Sequence, residues 1–158
     1  MRWASLVVVV AVIALAVWLL NPPLDWGSGH ARLRARSNCG ANLNQIGKQL
    51  IVYTTEYEEI PPDIDTLIRH GMSEAVLKCP SADGNRKSDY FFHFPGEEPD
   101  VGSTLVACDY RGNHRDGRNV LTYQGSVRFY KGEAAFQAEL AQPYNADFAK
   151  ALRQVEGP

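Results

Sequence analysis

Asp109, Asn113 and Asp116 fall within one short loop, residues 109–118, and offer oxygen ligands at a spacing that suits calcium. The same stretch carries Arg111, Arg115 and Arg118, which repel a cation. The competing reading is an ordinary Asx turn in which glycines take positive φ. His114 is the one histidine close to several acids. An acid–base role would need a partner within hydrogen-bond reach and a pocket, so the sequence favours a structural histidine bonded to the backbone of a hairpin. His30, His70 and His93 are isolated. Three cysteines, Cys39, Cys79 and Cys108, show no Cys-x-x-Cys spacing, which argues against a zinc site or a thioredoxin-like redox role. Each can be a small buried apolar residue with a free thiol. There is no Gly-x-Ser-x-Gly elbow, no His-Glu-x-x-His and no phosphate-binding glycine loop. Glu56, Glu58 and Glu59 read as a solvated helix end. The expectation is a protein that is not an enzyme; an envelope metal-binding module or hydrolase using loop 109–118 is the alternative.

The elements that must position these residues begin with an apolar run, Trp3–Leu20, which holds no charge. At 1.5 Å per residue it spans roughly 27 Å, near the thickness of a bilayer core. In hydrocarbon such a stretch satisfies its backbone only as a helix. Residues 1–20 are therefore expected to be a transmembrane anchor, 21–30 a linker broken by Pro22 and Pro23 and loosened by glycine, and 31–158 a head domain. Within the head, Cys39, Leu43, Ile46, Leu50, Tyr53 and Tyr57 recur at steps of three and four, one stripe of a helix over 31–57. Gly47 marks a close approach of the sheet, since glycine otherwise costs helix stability. Asp63 is placed to cap a short helix closed by Gly71.

Downstream the pattern turns to strands at Tyr90–Phe94, Thr104–Cys108, Asn119–Tyr123 and Ser126–Tyr130. A two-residue turn at Gln124-Gly125 pairs Thr122 with Val127 and Val120 with Phe129, placing those four on the helix and Leu121 and Arg128 on the far side. A helix with Phe136 and Leu140 follows, and Asn145 is placed to cap a last helix bearing Phe148, Leu152 and Val155. The expected fold class is α+β, with a three- or four-stranded antiparallel sheet.

The chain has 158 residues, and what remains beyond the apolar run suffices for one core. Net charge is −2, so no basic field argues for nucleic acid. The apolar run is longer than a signal-peptide core, and the nearest small-x-small site, Gly27-Ser28-Gly29, lies well past its end, which favours a retained anchor. A run apolar on every side is also a poor fit to a buried helix in so small a head. Arg32, Arg34 and Arg36 follow the run and by the positive-inside tendency favour a cytoplasmic head.

Several stretches carry a resemblance. They are the apolar helix with a proline at its end, the arginine-rich joint and Cys39-Gly40-Ala41-Asn42-Leu43-Asn44-Gln45-Ile46-Gly47. Tyr53, Tyr57 and Pro61-Pro62, then Cys79-Pro80-Ser81, then His114-x-x-Gly117-x-Asn119-Val120-Leu121 before Gly125-Ser126-Val127 complete the set. In that order they resemble the bacterial pseudopilin-like proteins, in which a prepilin-type anchor carries a processing-associated head; the match covers roughly residues 5–140. The resemblance implies a pilin-like fold and a structural, type II secretion-like or other envelope role. It implies contacts with membrane lipid and envelope proteins, and a single-pass inner-membrane protein with its head on the periplasmic side, against the arginine pattern. It implies that Cys39 and Cys79 lie in the head's core; paired, they would close a loop of about 40 residues worth roughly 4 kcal/mol. It also adds weight to calcium in the 109–118 loop, since related secretion pseudopilins hold one. The chain departs from the family at its start, Met1-Arg2-Trp3-Ala4-Ser5-Leu6, which lacks the Gly-Phe-Thr-Leu-Ile-Glu cleavage motif, and at Gln124, where the family has aspartate.

Overall fold

The structure, a computed structural model, describes residues 26–82, 84–99 and 101–157. The expected anchor, 1–20, lies outside the described residues, and among those described no helix is long and apolar enough to cross a membrane. The chain divides into two compact units, Met1–Ala31 and Arg32–Pro158, and the second is α+β.

Helix α1 runs Trp26–Tyr57. The expected linker is thus helical from Trp26 onward. Gly27 and Gly29 cost about 1 kcal/mol each, but lengthening an established helix needs no new nucleus. The stripe from Cys39 to Tyr53 is buried as its spacing requires, while Tyr57 at its end is exposed, lies tilted against Tyr53 and meets His70 edge-on. The helix stops at Glu58, whose φ of 55° takes the left-handed conformation common just past a helix end. Asp63 caps α2 (Ile64–Arg69) by accepting the Thr66 N–H at 2.7 Å, and Gly71 follows at φ 95°. A 3₁₀ turn, Glu74–Leu77, leads to Cys79.

Four strands, β1 (Tyr90–Phe92), β2 (Leu105–Asp109), β3 (Gly117–Thr122) and β4 (Val127–Lys131), form an antiparallel sheet in the order β1-β2-β3-β4. One apolar cluster joins the α1 stripe, Leu67, Val76 and Leu77 to Val106, Ala107 and Leu121. A second joins Phe91, Leu105, Cys108 and Val120 to α3 (Glu133–Leu140) and α4 (Ala146–Glu156) through Phe136, Leu140, Phe148 and Leu152. The sheet is therefore covered on both faces, which explains why β2 is buried at every position. Val155, expected on the buried side of α4, is exposed.

The β3–β4 register differs from the expected one by one residue: Leu121 faces Val127 and Val120 faces Arg128. The connection is a three-residue loop, Tyr123 to Gly125, closed by Thr122 and Ser126, with Gly125 at φ 77°. An extra loop residue in the left-handed region shifts the pairing by one, and a one-residue shift turns the side chains of one strand to the other face; here β3 is the strand turned over, while Val127 of β4 stays against the α1 cluster. Leu121, not Val120, therefore meets α1. Gly47 lies against it: a Cβ there would stand 2.7 Å from Leu121 Cδ1 and 3.0 Å from Gly125 Cα and carbonyl oxygen. Leu121 could yield, but the Gly125 backbone could not, so Gly47→Val is expected to destabilise the fold by about 1–3 kcal/mol in chemical denaturation.

Asn145 sits at the N-cap position of α4 but makes no side-chain cap bond. It is fully buried and clasps the two sides of its neighbourhood instead: Oδ1 accepts the Leu105 N–H at 2.9 Å, and Nδ2 donates to the Glu139 carbonyl at 3.0 Å. Asn145→Ala would strand the buried Leu105 N–H, while the Glu139 carbonyl keeps the Gln142 N–H, and should cost about 1–3 kcal/mol of unfolding free energy.

Candidate functional site

Four buried side chains from distant parts of the chain meet beneath α1. Cys39 comes from the buried stripe of α1, Cys79 from the segment after the 3₁₀ turn, Asp109 from the last position of β2 and His114 from the β2–β3 loop. One ligand atom of each lies within 4.8 Å of the other three. His114 Nε2 stands 3.7 Å from Cys79 Sγ and 3.4 Å from Asp109 Oδ2. Cys39 and Asp109 have no exposed surface, and Cys79 and His114 are buried.

A bulge aims Asp109 into this cluster. The β2–β3 register slips between Leu105 and Ala107, so Val106 and Ala107 both face α1 while Leu105 and Cys108 face the other side. Two residues opposing one resets the alternation of the strand. Asp109 then follows Cys108 onto the α1 face; without the extra residue the phase would send it to the opposite face.

The surrounding hydrogen bonds hold the four in place. The Asn119 N–H and its Nδ2 both donate to Asp109 Oδ2, at 2.7 and 2.8 Å. Asp109 Oδ1 has no hydrogen-bond partner. The Cys79 N–H donates to Asp89 Oδ2 at 2.9 Å, and Asn113 Nδ2 donates to the Asp89 carbonyl at 2.6 Å, tying the Cys79 segment to the loop that carries His114. Asn42 Nδ2 donates to the Tyr90 hydroxyl, which lies beside Cys39.

The electrostatics are tightly linked. A hydrogen bond between the two thiols raises the Cys39 pKa and lowers that of Cys79, so Cys79 is the one readied as a thiolate, with His114 adding to the effect. Burial pushes the Asp109 carboxyl up to about 6, against the Asn119 donors and the His114 ring. Burial alone would lower the His114 pKa, but the Cys79 hydrogen bond and the Asp109 carboxylate reverse the sign and raise it. The set can share protons, link two sulfurs or bind a cation.

The structure therefore rearranges the sequence-based candidates. Of Asp109, Asn113 and Asp116, only Asp109 belongs to the cluster. Asn113 is used as a donor to Asp89, and Asp116 pairs with Arg36 at 3.0 Å on the surface. His114 meets Cys79 and Asp109 instead of bonding the hairpin backbone. Cys39 and Cys79 are brought side by side as free thiols, and Cys108 lies in the second cluster. Two of the three arginines expected to repel a cation are paired with acids: Arg118 is held by Glu133 and Glu156, and Arg111 lies within 4.0 Å of both.

The chain matches no protein-family model, no curated protein and no solved structure.

Cysteine spacing missed the cluster because its members lie 40, 30 and 5 positions apart. One local signal was present: β2 reads Leu-Val-Ala-Cys-Asp, an acid directly after four apolar residues. A groove of about 870 Å³ lies elsewhere, lined by Ile51, Thr54, Glu58, Glu59, Glu97 and Glu98 among others, and shares no residue with the cluster.

Proposed function

We propose that this chain is a membrane-anchored, pilin-like head that acts through protein contacts and performs no chemistry of its own. The observation that carries the reading is the sealing of the constellation of reactive groups found among the described residues: Cys39, Cys79, Asp109 and His114 are 0–9% exposed, so a substrate would not reach them. The long helix lying on an antiparallel meander is compatible with a pilin-like head, and the uncharged run 3–20 ahead of it supplies an anchor of bilayer length. On this reading the chain is a single-pass inner-membrane protein with a periplasmic head, its partners are membrane lipid and envelope or secretion-system proteins, and it binds no nucleic acid. A metal-binding module is the second reading, favoured by the same four residues; a hydrolase using loop 109–118 is not, since His114 is turned inward.

Alkaline extraction of membranes, protease treatment of intact spheroplasts and cross-linking in cells test it together. The expected results are retention in the membrane pellet, digestion of the head from outside and cross-linked species larger than one chain. A chain released by alkali, or one that stays monomeric under cross-linking, would overturn the reading.

A further inference from the structure

We propose that Cys39, Cys79, Asp109 and His114 are the four ligands of a closed, structural zinc site. The donor set is the first argument. Two sulfurs and an imidazole suit zinc and are poor ligands for calcium or magnesium, which prefer oxygen alone. The spacing is the second. Tetrahedral zinc with ligands at about 2.0–2.3 Å places a sulfur and a nitrogen about 3.6 Å apart, and a nitrogen and an oxygen about 3.4 Å apart. The distances here are 3.7 Å from Cys79 Sγ to His114 Nε2 and 3.4 Å from His114 Nε2 to Asp109 Oδ2.

The third argument is what each occupant leaves unsolved. A Cys39–Cys79 disulfide would consume the sulfurs and leave a buried carboxylate, one of whose oxygens already lacks a partner, beside a neutral bridge. That carboxylate would then have His114, at 3.4 Å, to balance its charge and no donor on Oδ1, and a buried charge short of hydrogen bonds is costly. A dication engages all four groups: two thiolates, one carboxylate and one zinc sum to a single negative charge, and Asn119 already directs two donors at that carboxylate. On binding, the protons held by the thiols and by His114 Nε2 pass to solvent, and His114 coordinates through that freed Nε2, the atom that already faces Cys79 and Asp109. With four protein ligands, none more than 9% exposed, no position remains for a reacting water, which marks a structural site.

The test uses the full chain, purified under reducing conditions without chelator and reconstituted with zinc. Elemental analysis should find one zinc per chain, and Cys108→Ser should keep it. Cys79→Ser and His114→Ala should each lower the zinc content at least tenfold. Replacement by cobalt(II) should give the intense d–d absorption of a tetrahedral site together with thiolate charge transfer, and this spectrum decides the matter even where a variant fails to fold. Zinc below about one tenth per chain with all thiols reduced, an octahedral cobalt spectrum, or recovery of Cys39 and Cys79 as one disulfide-linked peptide from metal-free protein would overturn the proposal.

Discussion

Arg118→Ala is expected to destabilise the fold by about 3 kcal/mol, the low end of what breaking a buried ion pair costs. Arg118 comes from β3, yet its side chain is only 3% exposed. Its guanidinium reaches Glu156 at the end of α4 at 2.8 Å and Glu133 at the start of α3 at 3.0 Å, and it lies over the Phe136 ring at 4.6 Å. A further bond goes to the Asp109 carbonyl at 3.3 Å. The charge of Glu156, 8% exposed, sits at the negative end of a helix dipole, where a carboxylate is disfavoured. Remove the arginine and that carboxylate keeps only the Arg111 N–H at 2.6 Å and a distant Arg111 side chain. Arg118→Lys should recover little, because an ammonium cannot span both carboxylates with a flat fork of donors. Urea melts of the two variants check this; equal stability of wild type and Arg118→Lys would show that the bidentate geometry contributes nothing.

Phe148→Ala should cost about 3–5 kcal/mol, the usual range for deleting a buried ring. Phe148 is 2% exposed, packs edge-on against Phe91 at 5.3 Å and anchors α4 in the second cluster. None of the four zinc-site residues belongs to that cluster. The loss should therefore be uneven. Hydrogen exchange is expected to show amides of α3 and α4 opening at much lower free energy, with the buried half of α1 opening only on global unfolding. Uniform loss of protection across both layers would mean that the two clusters fold as one unit.

The fold was readable in the sequence where burial is one-sided. Cys39 to Tyr53 is wet on one face and dry on the other, so a period near 3.6 is visible; Asp63 and Gly71 bracket α2 with local chemistry. The sheet was harder. Covered on both faces, β2 shows no alternation, so neither its bulge nor the direction of Asp109 could be inferred. The β3–β4 pairing hinged on how many residues Gly125 leaves in the loop, a backbone property that the dipeptide Gln124-Gly125 does not fix. The site was legible only in pieces. Cys39, Cys79 and His114 each stood in a stretch that resembles the same family, but nothing local links an α1 cysteine to a loop histidine 75 positions on. That link is made by tertiary contact alone.

The meander has two outer borders, and both are ill suited to recruiting another strand. On one side β1 is only three residues long; on the other β4 carries Arg128 and Lys131. Brevity and cationic side chains both discourage chain-to-chain sheet extension. Copies of this head crowded together on a surface would thus resist fusing into a continuous β-ribbon, and any ordered array they built would have to rely on contacts between helices and loops.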